Sequence, residues 1–264
     1  MQIAEGGIAF FDSGIGGLTV LAECCRQIKC GVFYYYGDNG RAPYGNLPAQ
    51  TIREYLEEAF SLFESLRVRG AVLACNTATA VCVESLRARY SFPVIGTEPA
   101  IFPAAKNGGE IFVLATNATC QSDRFQKLCA RARERYPHAN ISAFACHRLA
   151  GEIESRLLDF NFDYSKFLPQ GMPDGVVLGC THYIYIKERV RRFYGCEVYD
   201  GNAGVAKRLK TSLATTPDAF RPLLTPSAEN GAFLSFCGSR IYFLGEQKTV
   251  NLRIFEQMFA KPYK

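Results

Sequence analysis

The sequence predicts an α/β protein made of two similar halves, each a parallel sheet covered by helices. Three observations carry that prediction. Apolar runs of strand length alternate with stretches of helical periodicity, the pattern of parallel strands buried on both faces. The alternation restarts near the middle of the chain. The two series also keep a common offset: Thr116 lies 104 residues after Asp12, and Cys180 lies 105 after Cys75. A shared offset is the mark of an internal duplication.

The first series opens with an apolar strand over Ile8–Asp12, a glycine-rich turn and a helix over 18–28. A strand over Val32–Gly37, a helix over 51–67, a strand over 71–74, a helix over 77–90 and a strand over 93–96 follow. The second series has strands over 111–115, 141–145, 176–178 and Glu197–Tyr199, with helices over 122–136 and 181–194. Residues 217–231 are rich in turn formers and predict a loop. Strand-like runs over 232–244 and a helix over 248–259 can return to complete the first half. The expected division is therefore 1–97 with 207–264 as one α/β domain, and 98–206 as the other.

Composition limits what such a protein can be. Nearly half of the 264 residues are hydrophobic, enough for two buried sheets. No stretch approaches the ~20 apolar residues of a membrane span, and the first residues do not read as a signal peptide. A cytoplasmic chain without a membrane partner is expected. The 11 cysteines are odd in number and include no C-x-x-C pair, so neither a disulfide framework nor a zinc site is expected. The formal charge of +5 is concentrated in 124–135 and 187–192, both on predicted helices, where a solvated face explains it. No nucleic-acid motif accompanies it, so no direct nucleic-acid partner is expected.

Ligands of parallel α/β sheets bind beyond the carboxyl ends of the strands. Cys75 and Cys180 both stand there, each before a predicted helix whose positive end would favour a thiolate. The matched surroundings are Val72-Leu73-Ala74-Cys75-Asn76-Thr77 and Val177-Leu178-Gly179-Cys180-Thr181-His182. His182 can assist Cys180 by charge or as a relay, and Asn76, Thr77 and Thr181 can donate to a ligand carboxylate. Two halves facing one another would set a thiol on each side of a cleft. That suits removal of a proton from one face of a tetrahedral carbon and its return to the other.

The turn Asp12-Ser13-Gly14-Ile15-Gly16-Gly17, with Asp38 ending the next strand, tempts a dinucleotide-binding reading. Thr19 stands where the third glycine of that fingerprint belongs, and Asp12 would face the pyrophosphate, so no such cofactor is expected. The loop Gly37-Asp38-Asn39-Gly40-Arg41-Ala42-Pro43-Tyr44-Gly45 is a second place where backbone can approach a ligand.

Taken together, these motifs resemble the glutamate racemases of the aspartate/glutamate racemase superfamily. The resemblance rests on Phe11–Leu18, Gly37-Asp38 with Arg41–Gly45, Ala74–Ala78 and Leu178–Tyr183. It implies two α/β domains related by pseudo-twofold symmetry, an active site between them, and a two-base mechanism that needs no cofactor or metal. By the resemblance, Cys75 would deprotonate D-glutamate and Cys180 L-glutamate, with Asp12 and His182 assisting. Asp12-Ser13, Tyr44-Gly45, Asn76-Thr77 and Thr181-His182 match the substrate-binding pairs. The segment over 146–154 places the family's assisting acid at Glu154, with Glu152 as competitor. The resemblance implies D-glutamate supply for peptidoglycan in a bacterial cytoplasm, and a homodimer is compatible with it. The sequence departs from the family pattern at Asn39-Gly40, usually Thr-Ala, and at Ile184, usually Pro. Rival readings are a racemase of another small amino acid such as aspartate, a Cys–His acyl transferase, and a non-catalytic binding protein with this fold.

Overall fold

The computed structural model describes residues 6–28, 31–159, 161–214 and 232–260. The loop expected over 217–231 lies outside them. The first series runs β1 (Ile8–Asp12), α1 (Gly17–Gln27), β2 (Val32–Gly37), α2 (Ala49–Ser65), β3 (Gly70–Leu73), α3 (Asn76–Arg89), β4 (Val94–Gly96) and a short α4 (Ile101–Ala105). The second runs β5 (Gly109–Ala115), α5 (Asn117–Gln121), α6 (Asp123–Arg135), β6 (Ala139–Ala145), α7 (Leu149–Arg156), β7 (Gly175–Gly179), α8 (Lys187–Tyr194) and β8 (Glu197–Tyr199). The chain continues through α9 (Asn202–Ala214), β9 (Phe233–Phe236), β10 (Ser239–Leu244) and α10 (Lys248–Phe255).

Two sheets result. One has the order β4-β3-β1-β2-β10-β9 and the other β6-β5-β7-β8. Every pairing is parallel except β9 with β10. Read from its other edge, the second sheet is β8-β7-β5-β6, which repeats β4-β3-β1-β2 strand for strand. The duplication inferred from the offset is thus present in the topology. β9 and β10 extend only the first sheet, beside β2, so the tail returns there.

Strand periodicity assigns side chains to faces. In the first sheet Ile8, Phe10, Phe33 and Tyr35 enter one core, under α1 and α9. Ala9, Phe11, Tyr34 and Leu73 enter the other, under α2 and α3. The second sheet repeats this, with Leu114 and Leu178 on one face and Val113 and Val177 on the other. These side chains are nearly fully buried, and each Val, Leu, Ile or Phe among them contributes about 1.5–3 kcal/mol of hydrophobic stabilisation. Four cores on two sheets leave the strands' carboxyl ends free to build a site.

Residues 181–194 are not one α-helix, as the periodicity predicts. Thr181–Ile186 form a 3₁₀ segment, and α8 begins only at Lys187. The run Thr-His-Tyr-Ile-Tyr-Ile is β-branched and aromatic throughout, a weak α-former. A three-residue turn aligns residues i and i+3. It therefore sends Tyr183 and Ile186 into the second core, and His182 and Tyr185 toward the first half, where the Tyr185 hydroxyl donates to the Ile15 carbonyl at 2.8 Å. Helices α4, α5, α7 and α9 have no counterpart in the sequence-based expectation. Among them, α9 packs on α1 through Val205, Leu209 and Leu213.

Candidate active site

Asp12 ends β1 and is fully buried. Its carboxylate accepts from the Gly14 N–H at 2.7 Å and from the Thr181 hydroxyl at 3.1 Å. The second bond crosses from one half to the other. Burial pushes the Asp12 carboxyl up to about 6, against the pull of His182 and the Gly14 N–H.

Cys75 follows β3 and caps α3, its sulfur accepting from the Ala78 N–H at 3.4 Å. The Ser13 hydroxyl lies 3.7 Å from the same sulfur. A helix N-terminus alone would lower this thiol's pKa. Burial and the negative charge of Asp12 win instead and push it up to about 12. At Cys75 this reverses the lowering expected from the sequence, because loss of water outweighs the two weak contacts.

Cys180 follows β7 in the equivalent place. Because the next residues form a 3₁₀ segment, its side chain makes no capping bond, and its support is a side chain rather than a helix end. The His182 Nδ1 lies 3.8 Å from the sulfur. The other ring nitrogen, Nε2, lies 2.5 Å from Glu154 Oε2. Burial by itself would push His182 down, but the Glu154 carboxylate and the contacts with Cys180 and Glu154 raise it well above the usual histidine value. Glu154 also accepts from the Ile15 N–H at 3.1 Å and from the Asn39 amide at 3.0 Å. Glu152, the competitor, is turned away and pairs with Arg148 and Arg156, each at 3.0 Å.

The glycine run of the first turn serves this closure. A Cβ on Gly14 would fall 2.5 Å from Glu154 Oε2. One on Gly16 would fall 2.5 Å from the Thr181 hydroxyl and 2.6 Å from His182 Nδ1. Asp38 is likewise engaged within the protein, accepting from the Tyr44 hydroxyl and from Arg41 Nε at 2.7 Å. Among the described residues no cluster of three His, Cys, Asp or Glu side chains is arranged for a metal ion, and no helix is long and apolar enough to cross a membrane.

The remaining predicted residues surround the thiols. Asn76 donates one amide hydrogen to the Thr97 carbonyl at 3.3 Å. Gly45 lies against Thr116, where a Cβ would be 2.8 Å from the threonine Cβ. The Thr77 hydroxyl meets Thr116 at 2.9 Å and Thr119 at 3.3 Å, and those two meet at 2.9 Å. Sequence reasoning did not name Thr116 and Thr119 as site residues. The signal was present, since Thr116 is the counterpart of Asp12 in the repeat.

Comparison with known proteins agrees with this geometry. The pattern of the Asp/Glu/Hydantoin racemase family matches residues 44–209, a stretch that holds both Cys75 and Cys180. Glutamate racemase 2 of Bacillus subtilis is 35% identical over 225 residues, covering 78% of this chain and 82% of its own. The structure of Escherichia coli glutamate racemase, in complex with L-glutamate and an activator, superposes with a TM-score of 0.77 at 25% identity, over 97% of this chain and 95% of that one. A glutamate racemase isoform from Bacillus anthracis gives 0.75 at 26% identity, over 99% and 97% of the two chains. With the repeated sheet order, the paired thiols and these likenesses in hand, the chain belongs to the Asp/Glu/hydantoin racemase family.

Proposed function

We propose that this chain is a glutamate racemase, interconverting L- and D-glutamate by proton transfer between two cysteines. The observation that carries the reading is the pair itself. Cys75 and Cys180 follow equivalent strands of the repeat, β3 and β7, and a hydrogen bond from Thr181 to Asp12 joins the two halves beside them.

With L-glutamate bound, the Cys180 thiolate takes the α-proton and becomes a thiol. The electron pair left on Cα spreads onto the α-carboxylate. The Cys75 thiol then gives its proton to the opposite face and becomes a thiolate, yielding D-glutamate; the reverse reaction exchanges the roles. His182, held by Glu154, passes a proton to and from Cys180, and Asp12 serves the Cys75 side. Positioned acid/base groups of this kind contribute ~10²–10⁴-fold. The mechanism calls on no cofactor.

Substrate is held by Asp12, Ser13, Tyr44, Gly45, Asn76, Thr77, Thr181 and His182. The hydroxyls of Thr77, Thr116 and Thr119 add donors from both halves, suited to a carboxylate. The two halves are taken as domains over 1–97 with 207–264 and over 98–206, moving about the cleft to admit substrate. In the cell the product would supply peptidoglycan synthesis in the cytoplasm, with the chain acting as a homodimer.

The test is to incubate the protein with L-glutamate in D₂O, with chelator and no added cofactor. The α-proton is followed by NMR and the optical sign by circular dichroism. Loss of both signals is expected. Loss of neither, with aspartate turned over instead, would move the substrate. Inertness toward both amino acids would leave a binding protein.

A further inference from the structure

Glu154 is itself held by a chain of amides that ends on the helix α10, far away in the sequence. Asn39 Nδ2 donates to Glu154 Oε1 at 3.0 Å. Asn251 Nδ2 in turn donates to Asn39 Oδ1 at 3.0 Å. Asn251 is fully buried, and its Oδ1 has no partner among the described residues. Gly37 makes room: a Cβ there would lie 2.6 Å from Asn251 Nδ2 and 2.9 Å from Asn39 Oδ1.

The direction of this chain is set by charge. An ionised carboxylate only accepts, so Asn39 must turn its NH₂ toward Glu154 and its carbonyl oxygen away. Asn251 must then also present NH₂, which strands its own oxygen in the interior. A buried polar atom without a partner destabilises the fold. Packing alone would place a leucine here, so the amide at 251 has another task.

We infer that Asn251, acting through Asn39, is a positioning residue for the Cys180 half of the site. It locks Asn39 with its donor toward Glu154, which holds Glu154 against the His182 ring and so fixes that ring beside Cys180. Asn39 is partly exposed, and without Asn251 only Glu154 would hold its amide. The inference rests on the proposed roles of Glu154, His182 and Cys180.

The experiment reads the thiols without substrate. The folded protein and its variants are treated with iodoacetamide at neutral pH, and the modification rates of Cys180 and Cys75 are followed by mass spectrometry. Their ratio cancels changes in cleft opening. Asn251→Leu removes both the donor and the stranded oxygen. It should leave the melting temperature unchanged or raised, yet lower the Cys180:Cys75 ratio about tenfold, the effect of about one hydrogen bond to a charged group. Asn39→Leu should do the same, and the double variant should add nothing, since both cut one chain. If leucine does not fit at 251, Asn251→Ala carries the test for that position. An unchanged ratio in a folded variant, or additive effects of the two substitutions, would overturn the relay. A fall in melting temperature with an unchanged ratio would make Asn251 structural only. The proton-exchange assay on the unaltered protein decides separately whether the chain racemises glutamate.

Discussion

The two thiols end matching strands but stand in different company. Cys75 has a hydroxyl and a backbone N–H at hand, and a pKa pushed up to about 12 by burial and by the nearby Asp12 carboxylate. Cys180 has a histidine whose far nitrogen is gripped by a carboxylate. The repeated topology therefore places the two thiols alike, while their local contacts support them unequally. One thiol is supported by a helix end and the other by a histidine side chain. The acids are also gripped across the cleft. Asp12 of the first half accepts from Thr181 of the second, and Glu154 of the second accepts from Ile15 and Asn39 of the first. The acids near both thiols are thus held by contacts that join the two halves.

The largest expected effect comes from deleting either thiol. Cys75→Ala and Cys180→Ala should each abolish racemisation, because neither half can both take and return the proton. Circular dichroism with either enantiomer checks this, and racemisation surviving in one variant would break the two-thiol comparison. Next comes the support of Cys180. His182→Asn should slow turnover by ~10²–10⁴-fold, and Glu154→Gln should act through the same ring, so the double variant should be little worse than His182→Asn alone.

Asp12 sharpens the comparison through stability. Burial pushes its carboxyl up to about 6, from an ordinary value of 3.8. The folded state therefore holds a proton that the unfolded state has released, and the associated stability is lost as pH rises from 4 through 6. Two units correspond to about 3 kcal/mol at neutral pH. Asp12→Asn should remove that cost while impairing catalysis. Its melting temperature relative to the native protein should climb between pH 4 and pH 7 and then level off. A difference that does not vary with pH would mean that Asp12 is already ionised below pH 4. The smallest effect is expected at Glu152, whose partners Arg148 and Arg156 are largely exposed. Glu152→Gln should change kcat by less than about twofold and stability by about 0–1 kcal/mol.

Much of this was legible in the sequence, for identifiable reasons. Strands such as Ile8–Asp12 and Val32–Gly37 are continuous apolar runs, and the offset between Cys75 and Cys180 revealed the repeat before any coordinates. Three things were hidden. Breaking of the helix after Cys180 depends on where His182, Tyr183 and Tyr185 find partners, which local propensity does not encode. The rise in the Cys75 pKa depends on closure of the site, and a helix-end argument omits desolvation. The contact from Asn251 to Asn39 joins residues more than two hundred positions apart, and no spacing rule reaches that far. The glycines of the first turn carried a true signal with a second meaning. They admit Glu154 and His182 where the sequence suggested room for a ligand.

The most direct measurement is α-proton exchange by each single-thiol variant with each enantiomer in D₂O. Cys75→Ala should exchange the α-proton of L-glutamate and leave D-glutamate untouched, while Cys180→Ala should do the reverse. Exchange of both enantiomers by one variant, or of the same enantiomer by both, would contradict the assignment of one thiol to each face.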